Sequence, residues 1–261
     1  MGISPDLIPA IKTIKDLKSL SISFDCDGAS YGTYDFNTLS GLFSAIPNLE
    51  YLSTHHDQMD TFTLYPPALS NLRYFSMQSD EENLEGNCHI TQTAKNTLKM
   101  IELSRGYIVP IKGLKQVLEP IKDTLEGLFT LVFTIQVTKQ VSNMNFPKLR
   151  VIKTQPVDSR IPEVNWLKAP MLKNVRTVIT NLENQDYWHN ALEGPGRDAL
   201  KKVPNFKHLV FTNNAHTETQ ALDPQLVRLF EFHGVQCHFT DQGLSADEIM
   251  TLDCELNGPV I

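Results

Sequence analysis

Two cysteine–histidine pairs are the first residues in the sequence whose types could do chemistry. Cys88-His89 and Cys237-His238 would together supply two thiolates and two imidazoles, a ligand set that suits zinc. The pairs lie 149 residues apart, and the adjacent His55 and His56 would point to opposite faces of a strand. The sequence therefore predicts no metal site, and we expect these side chains to be ordinary buried or surface residues.

Two acidic or glycine-rich segments resemble ligand loops only in part. Asp25-Cys26-Asp27-Gly28 could open a calcium loop, but the twelfth position, which requires glutamate, holds Phe36. Gly194-Pro195-Gly196-Arg197 lacks the Lys-Ser/Thr ending of a phosphate loop and has proline at its centre. Because no serine or cysteine has an evident base at a recognisable spacing, we expect no catalytic residue, no cofactor and no enzymatic activity.

The composition argues against two classes of partner. Thirty acidic against 23 basic side chains give a formal net charge of −7, and the longest basic run is the pair Lys201-Lys202, so clustered cations for a phosphate backbone are missing. Apolar stretches such as residues 128–135 are far shorter than the ~20 residues of a membrane helix. We therefore expect neither nucleic acid nor membrane binding, and four scattered cysteines favour a cytoplasmic or nuclear location.

A short apolar motif recurs along most of the chain. Its form is an apolar residue, two variable residues, an apolar residue, one variable residue, and then an apolar residue or threonine. Proline stands two residues before the first position in four copies. The copies begin at intervals of 23 to 34 residues, and most intervals fall within the ~20–29 residues of leucine-rich repeats. The eight copies are Leu17-x-x-Leu20-x-Ile22, Leu49-x-x-Leu52-x-Thr54, Leu72-x-x-Phe75-x-Met77, Leu98-x-x-Ile101-x-Leu103, Leu125-x-x-Leu128-x-Thr130, Leu149-x-x-Ile152-x-Thr154, Leu172-x-x-Val175-x-Thr177 and Phe206-x-x-Leu209-x-Phe211.

The spacing at the end of the motif is that of a strand with one buried face. One such strand cannot bury its apolar side alone, but stacked copies form a parallel sheet over a continuous core. We therefore expect an α/β fold, a leucine-rich-repeat solenoid with a curved parallel sheet on its concave side and helices and irregular loops on its convex side. A single domain of about eight repeats is expected over residues 1–261, with its core at 11–240 and a C-terminal cap at 241–261.

Helical spacing separates several copies of the motif. Apolar residues in segments 36–46 and 114–125 recur on one helix face, and Pro120 is expected to kink or end the second helix. Asp223 is the expected N-cap of a further helix that ends at Gly234, and residues 235–239 then alternate as a strand. The expected chain order is strand, crossover helix, strand.

The x-Pro-x-Leu-x-x-Leu unit, its variable spacing and the lack of an asparagine ladder at the ninth position resemble the repeat region of fungal F-box/LRR-type proteins. The resemblance covers roughly residues 11–240. It implies substrate capture for ubiquitin ligation, with an N-terminal F-box that docks an adaptor. No three-helix F-box precedes the first copy, so we expect either a C-terminal fragment of a longer protein or a stand-alone repeat protein.

Three functional classes follow from these patterns. The first is a non-catalytic scaffold that binds another protein, such as the substrate-recognition region of an F-box-type ubiquitin ligase component. The second is an effector-like or stand-alone repeat protein that binds a regulatory partner. The third is an α/β enzyme whose strands imitate repeats.

The expected contact surface consists of the motif positions that alternate with the core. Counting the first apolar residue as one, positions five and seven would face the concave side. Phe129 and Leu131, flanked by Lys153 and Arg176, are predicted to form an apolar anchor with a basic rim for an acidic partner segment. The alternative is another register in the fifth copy, with Leu131 in the core. The predicted partner-binding residues are His55, Gln78, Glu102, Phe129, Leu131, Lys153 and Arg176.

Overall fold

The chain forms two compact units, Met1–Leu125 and Glu126–Ile261, which we call the first and the second unit. Nine β-strands and seven α-helices lie in the described residues. None of these helices combines the length and the apolar character that crossing a membrane requires. The computed structural model describes residues 6–14, 16–23, 36–55, 63–65, 67–78, 83–104, 113–130, 141–154, 165–193, 198, 200–213 and 221–259.

The first unit consists of strands and the connections between them, and several of these connections contain a helix. Its four strands are parallel and hydrogen-bonded in chain order. Its elements are α1 Leu7–Lys12, β1 Ser19–Ser23, α2 Phe36–Ala45, β2 Tyr51–His55, β3 Tyr74–Gln78, α3 Leu84–Thr93, β4 Met100–Ser104, α4 Leu114–Leu118 and a 3-10 turn at Glu119–Ile121.

The second unit is built in the same way from five parallel strands in chain order. Parallel strands joined by helical connections establish an α/β fold in both units, as the motif predicted. Its strands and α-helices are β5 Gly127–Thr130, β6 Val151–Thr154, β7 Thr177–Asn181, α5 Gln185–Glu193, β8 His208–Thr212, α6 Pro224–Phe232, β9 Gln236–Thr240 and α7 Ala246–Asn257. Its 3-10 turns are Asn165–Lys168, Pro170–Leu172, Leu182–Asn184 and Leu200–Lys202.

Strand pairing aligns the fourth positions of the motif copies. In the first unit the successive cross-strand partners are Leu20, Leu52, Phe75 and Ile101. In the second unit the corresponding partners are Leu128, Ile152, Val178 and Leu209. The predicted register is therefore correct for seven of the eight copies.

The seventh copy begins three residues later than predicted. Ile152 pairs with Val178, and not with Val175 as the motif required. The predicted first position, Leu172, lies in the 3-10 turn that begins at Pro170. Because apolar residues three apart satisfy both helical spacing and the start of the motif, the proline marked a turn and not a strand. The aligned copy is Val175-x-x-Val178-x-Thr180.

The predicted helices are confirmed where they are described. α2 and α4 occupy the two segments with helical spacing. Asp223 caps α6, since its Oδ1 accepts the backbone N–H of Gln225 at 2.8 Å. Gly234 has a φ of 76°, a left-handed conformation in which glycine avoids strain, and β9 follows it as expected.

A polar side chain just before the first motif position ties each of three connections to the preceding one. In each case the side-chain amide donates to a backbone carbonyl of the preceding turn, which is not paired in the hydrogen bonds between strands. These bonds run from Asn71 Nδ2 to the carbonyl of Pro47 (3.0 Å), from Asn174 Nδ2 to that of Pro147 (3.2 Å), and from Asn205 Nδ2 to that of Lys173 (2.8 Å). The copies are thus joined by side chains as well as by strand pairing.

In each unit the strands present two different faces. The even face carries motif positions four and six. It is mostly buried in both units, as Phe75 on β3 and Ile152 on β6 illustrate, and Phe239 on β9 is an exposed exception. The odd face carries positions three, five and seven, such as Tyr74, Ser76 and Gln78 on β3, together with their cross-strand partners. The odd face is where the sequence places the contact surface.

Candidate protein-binding site

The odd face of the first unit is polar and partly exposed. His55 on β2, Gln78 on β3 and Glu102 on β4 all lie on it, and each is half-buried. Tyr51 and Tyr74 stand on the same face with ring centroids 6.1 Å apart. Half-exposed tyrosines surrounded by hydrogen-bonding groups are favoured in protein interfaces. The structure therefore brings the three predicted residues of this unit onto one surface.

Hydrogen bonds hold the polar groups of this face in fixed positions. The hydroxyl of Tyr74 donates to a carboxylate oxygen of Glu102. Burial, together with that hydrogen bond and the charge of Glu102, raises the pKa of Tyr74, so the hydroxyl stays protonated at neutral pH. Ser53 Oγ lies 3.3 Å from Nδ1 of His55. A partner would meet a preformed array of donors and acceptors.

The odd face of the second unit is apolar and buried. Phe129, Ile179 and Val210 occupy the fifth motif position, with Lys153 between the first two. Phe129 is 1% exposed, which corrects the expectation that it projects as an exposed anchor. Leu131 lies outside the described residues. The reason for the burial is that α7 lies against this face.

Met250 of α7 reaches the sheet beside Gly127. A Cβ atom at residue 127 would lie 2.9 Å from Cζ of Phe129 and 3.2 Å from Sδ of Met250. The ring of Phe129 therefore folds back along its own strand, next to the helix. Glycine is needed at this position because both side chains approach the backbone closely.

Asp253 is the main polar attachment of α7 to the sheet. It is fully buried on the same helix face as Ile249. Its carboxylate accepts hydrogen bonds from Nη1 of Arg150, from Nη2 of Arg176 at 2.8 Å and from Nε of Arg176 at 3.1 Å. Thr177 Oγ1 donates a further bond of 2.7 Å. A buried carboxylate with this many donors is well compensated for its lost hydration.

Arg150 bridges two carboxylates. Its Nη2 lies 3.0 Å from Oε2 of Glu126, just before the neighbouring strand β5, while Nη1 contacts Asp253. Burial by itself lowers the pKa of Arg150, but attraction to Asp253 and the hydrogen bond to Glu126 outweigh it and the pKa is raised. The guanidinium is therefore charged at every accessible pH.

The second motif position carries a row of charges in both units. In the first unit the row is Lys18, Glu50, Arg73 and Lys99, in which Glu50 pairs with Lys18 at 2.8 Å and lies 3.7 Å from Arg73. In the second unit this position is occupied by Glu126, Arg150, Arg176 and Lys207. Backbone hydrogen bonds link each of these residues to the next. Three neighbouring cations repel one another, and Asp253 supplies the carboxylate that this part of the row lacks.

The structure corrects the position of Arg176. The sequence predicted it at position five of the seventh copy, but the shifted register places it at position two, just before β7. Lys153 does lie at position five, where its Nζ is 3.4 Å from the carbonyl of Leu244, two residues before α7. Phe129, Lys153 and Arg176 thus all face an acidic helix, as predicted for a partner, but the helix belongs to the same chain.

Two histidines face each other on β8 and β9. His208 Nδ1 and His238 Nε2 are 3.0 Å apart. Burial lowers the pKa of both groups, and the charge of His238 lowers that of His208 further. Because one nitrogen must accept while the other donates, the contact requires at least one neutral ring.

An open groove of about 500 Å³ runs along α7 over β8 and β9. Val210, His238 and Phe239 line its strand side, and Leu244 and Leu252 line the side of α7. Phe239 is aligned with Phe211, so its 45% exposed ring belongs to the even face. The half-buried apolar residues of the groove are Leu244 and Leu252.

The described residues give little support to catalytic or metal chemistry. Among them, no three His, Cys, Asp or Glu side chains are grouped so as to hold a metal ion. Burial, with a contribution from Glu85, raises the pKa of Cys88, and burial raises that of Cys237 to about 12. Both thiols are therefore protonated at neutral pH, which makes them poor nucleophiles and poor ligands. Segments 25–28 and 194–197 lie outside the described residues.

The expectation from the sequence that no residue is catalytic overlooked one motif. Gly28-Ala29-Ser30-Tyr31-Gly32 has the Gly-x-Ser-x-Gly spacing of a nucleophile elbow. It lies outside the described residues, between Ser23, where β1 ends, and Phe36, where α2 begins. An elbow places its serine on a sharp turn that leads directly from strand to helix.

The docking of α7 was also missed, although part of its signal is present in the sequence. Ser245 and Glu248 form a capping box, with Ser245 Oγ 3.4 Å from the backbone N of Glu248 and the backbone N of Ser245 2.8 Å from Oε2 of Glu248. That Ser-x-x-Glu spacing could have located the helix. Its acidic composition beside an uncompensated basic row could have suggested where it binds.

No protein-family model matches the chain, and no curated protein matches its sequence.

Proposed function

We propose that this protein is a non-catalytic scaffold that binds another protein through the odd face of its first unit. The observation that carries the proposal is the half-exposed polar face on which His55, Gln78 and Glu102 stand beside Tyr51 and Tyr74. Tyrosines of this kind supply large contact area at low cost in side-chain entropy. The bound partner would therefore rest on a preformed surface.

The proposal includes a leucine-rich-repeat solenoid as the architecture. Parallel strands in chain order, aligned motif positions and the asparagine bonds between connections support it, because each is expected of stacked repeats. The particular version that the sequence resemblance favours is the substrate-recognition region of an F-box-type ubiquitin ligase component. Such a protein would act in the cytoplasm or the nucleus.

The experiment is site-specific crosslinking from the proposed face. A photoreactive amino acid at Gln78 should capture a defined protein in cells, whereas the same group at Lys122, whose side chain is 39% exposed in the turn after α4, should not. With the captured protein purified, Tyr51→Ala should weaken binding by roughly thirtyfold, as expected for an interface tyrosine. Lys122→Ala is the matched control and should leave binding unchanged. Equal crosslinking from both positions would contradict the proposal.

The same experiment separates the alternatives. Recovery of an adaptor subunit together with the captured protein favours the ligase version, and recovery of a single regulatory protein favours an effector-like or stand-alone role. An α/β hydrolase would instead react with a fluorophosphonate probe at Ser30. Labelling that Ser30→Ala abolishes would replace the scaffold with an enzyme.

A further inference from the structure

We propose that the odd face of the second unit is a receptor site for an acidic amphipathic helix of a partner protein, and that α7 is the resident helix with which that partner exchanges. The inference rests on the proposed function, because it assigns a second protein-binding surface to the same scaffold. It also names the chemistry of the partner: a helix with a carboxylate one turn after an apolar residue, as Asp253 follows Ile249.

The recognition groups belong to the sheet and not to α7. Arg150 and Arg176 precede neighbouring strands, and Thr177 begins β7. All three donate to the single carboxylate of Asp253, and Arg176 Nη2 also reaches the carbonyl of Gly258 at 3.2 Å. Two guanidinium groups that converge on one carboxylate form a strong and directional anion site. This site would accept the same group from another helix.

The charge pattern of α7 makes it depend on this site. The helix carries Asp247, Glu248, Asp253 and Glu255 and has no basic residue. The two acidic residues in its last turns face the negative end of the helix dipole, which disfavours the helix in isolation. A helix of 12 residues is marginal in water even without that handicap. Its docked form is therefore maintained by the face that it covers.

The attachment of α7 leaves room for exchange. Ile249 and Asp253 are its fully buried residues, out of 12. The groove beside it leaves Leu244 and Leu252 half-buried. A partner helix with more apolar residues on the same face would cover this groove as well. It would then gain burial that α7 does not provide.

The test is competition by a synthetic peptide of residues 243–259, labelled with a fluorophore, against the full chain. In the wild-type chain the tethered α7 competes at high effective concentration, so peptide binding is weak. Thr251→Gly in the full chain weakens α7 on its exposed side without removing a contact to the sheet. The peptide should then bind roughly twofold more tightly, as measured by fluorescence anisotropy. Ser245→Ala, which removes the helix cap, should act in the same direction.

The matched control is the same peptide with Asp253→Asn. It should bind at least about thirtyfold more weakly, because Arg150 and Arg176 would be left without their carboxylate. Circular dichroism of the Thr251→Gly and Ser245→Ala chains checks that both remain folded; if one unfolds, the other gives the result. Equal binding of the two peptides, or equal binding by wild-type and loosened chains, would overturn the proposal.

Sedimentation of the Thr251→Gly and Ser245→Ala chains tests whether the site is occupied by a second copy of this chain and not by another protein. A monomer that binds the peptide supports an acidic helix from another protein. A dimer formed by exchange of α7 between two copies would overturn that assignment. Failure of the peptide test while Tyr51→Ala still weakens binding of the protein captured by the first unit would remove this inference and leave the proposed function intact.

Discussion

At the scale of single residues, Asp253 contributes most to stability because it is a buried charge, and its partners stay in place when it is replaced. Replacing it with alanine leaves Arg150 and Arg176 partly buried without a carboxylate. The free energy of unfolding should fall by about 3–5 kcal/mol, the usual cost of breaking a buried pair. Urea denaturation measures the change. Glu255→Ala, two residues along and exposed, is the control and should change it by less than about 0.5 kcal/mol.

The histidine pair predicts a dependence of stability on pH. Burial lowers the pKa of His208 and His238 below 6.5 in the folded protein, so the unfolded chain binds more protons as the pH falls through that value. The free energy of unfolding should be at its full value above pH 6.5 and should decline below it. The double variant His208→Gln with His238→Gln should flatten this decline. His89→Gln, in the first unit, is the control, and loss of the slope in that variant would assign the effect elsewhere.

At the scale of elements, the three asparagines that precede a first motif position and bond to the preceding connection should make a measurable contribution to stacking. Asn174 donates to the carbonyls of Phe146 and Pro147 at 3.3 and 3.2 Å. Asn174→Ala should lower the free energy of unfolding by about 1 kcal/mol, the typical net value of one hydrogen bond. Lys148 occupies the same motif position and is exposed, so Lys148→Ala is the matched control. Equal effects of the two substitutions would mean that the amide does not stabilise the stack.

The elements were predictable from the sequence wherever local spacing was unambiguous. The strands follow from apolar residues two apart, and α6 follows from its cap at Asp223 and its stop at Gly234. The seventh strand was misplaced because Leu172 and Val175 both fit the motif. The residues around them decide the matter: Asn174 and Arg176 flank Val175 as Asn205 and Lys207 flank Phe206, whereas Met171 precedes Leu172.

At the scale of the whole molecule, the docking of α7 could not have been derived from periodicity. Its bonds join residues 77 and 103 positions apart in the chain, and spacing patterns report local order alone. The apolar odd face around Phe129 was recognised from sequence as a binding surface for an acidic segment. Identifying that segment as α7 requires knowing that Asp253 binds the basic residues. Those residues come together only in the folded structure.

The central claim is that the odd face is covered by α7 in the second unit and open to a partner in the first. Hydroxyl-radical footprinting with mass spectrometry tests it directly, because it reports the solvent exposure of native side chains. Tyr51 and Tyr74 should be oxidised readily, whereas Phe129 should be protected in the wild-type chain and become reactive when Thr251→Gly loosens α7. Phe232, which is exposed, and Tyr187, which is buried, are the internal standards. Oxidation of Phe129 at the rate of Tyr51 in the wild-type chain would contradict the claim.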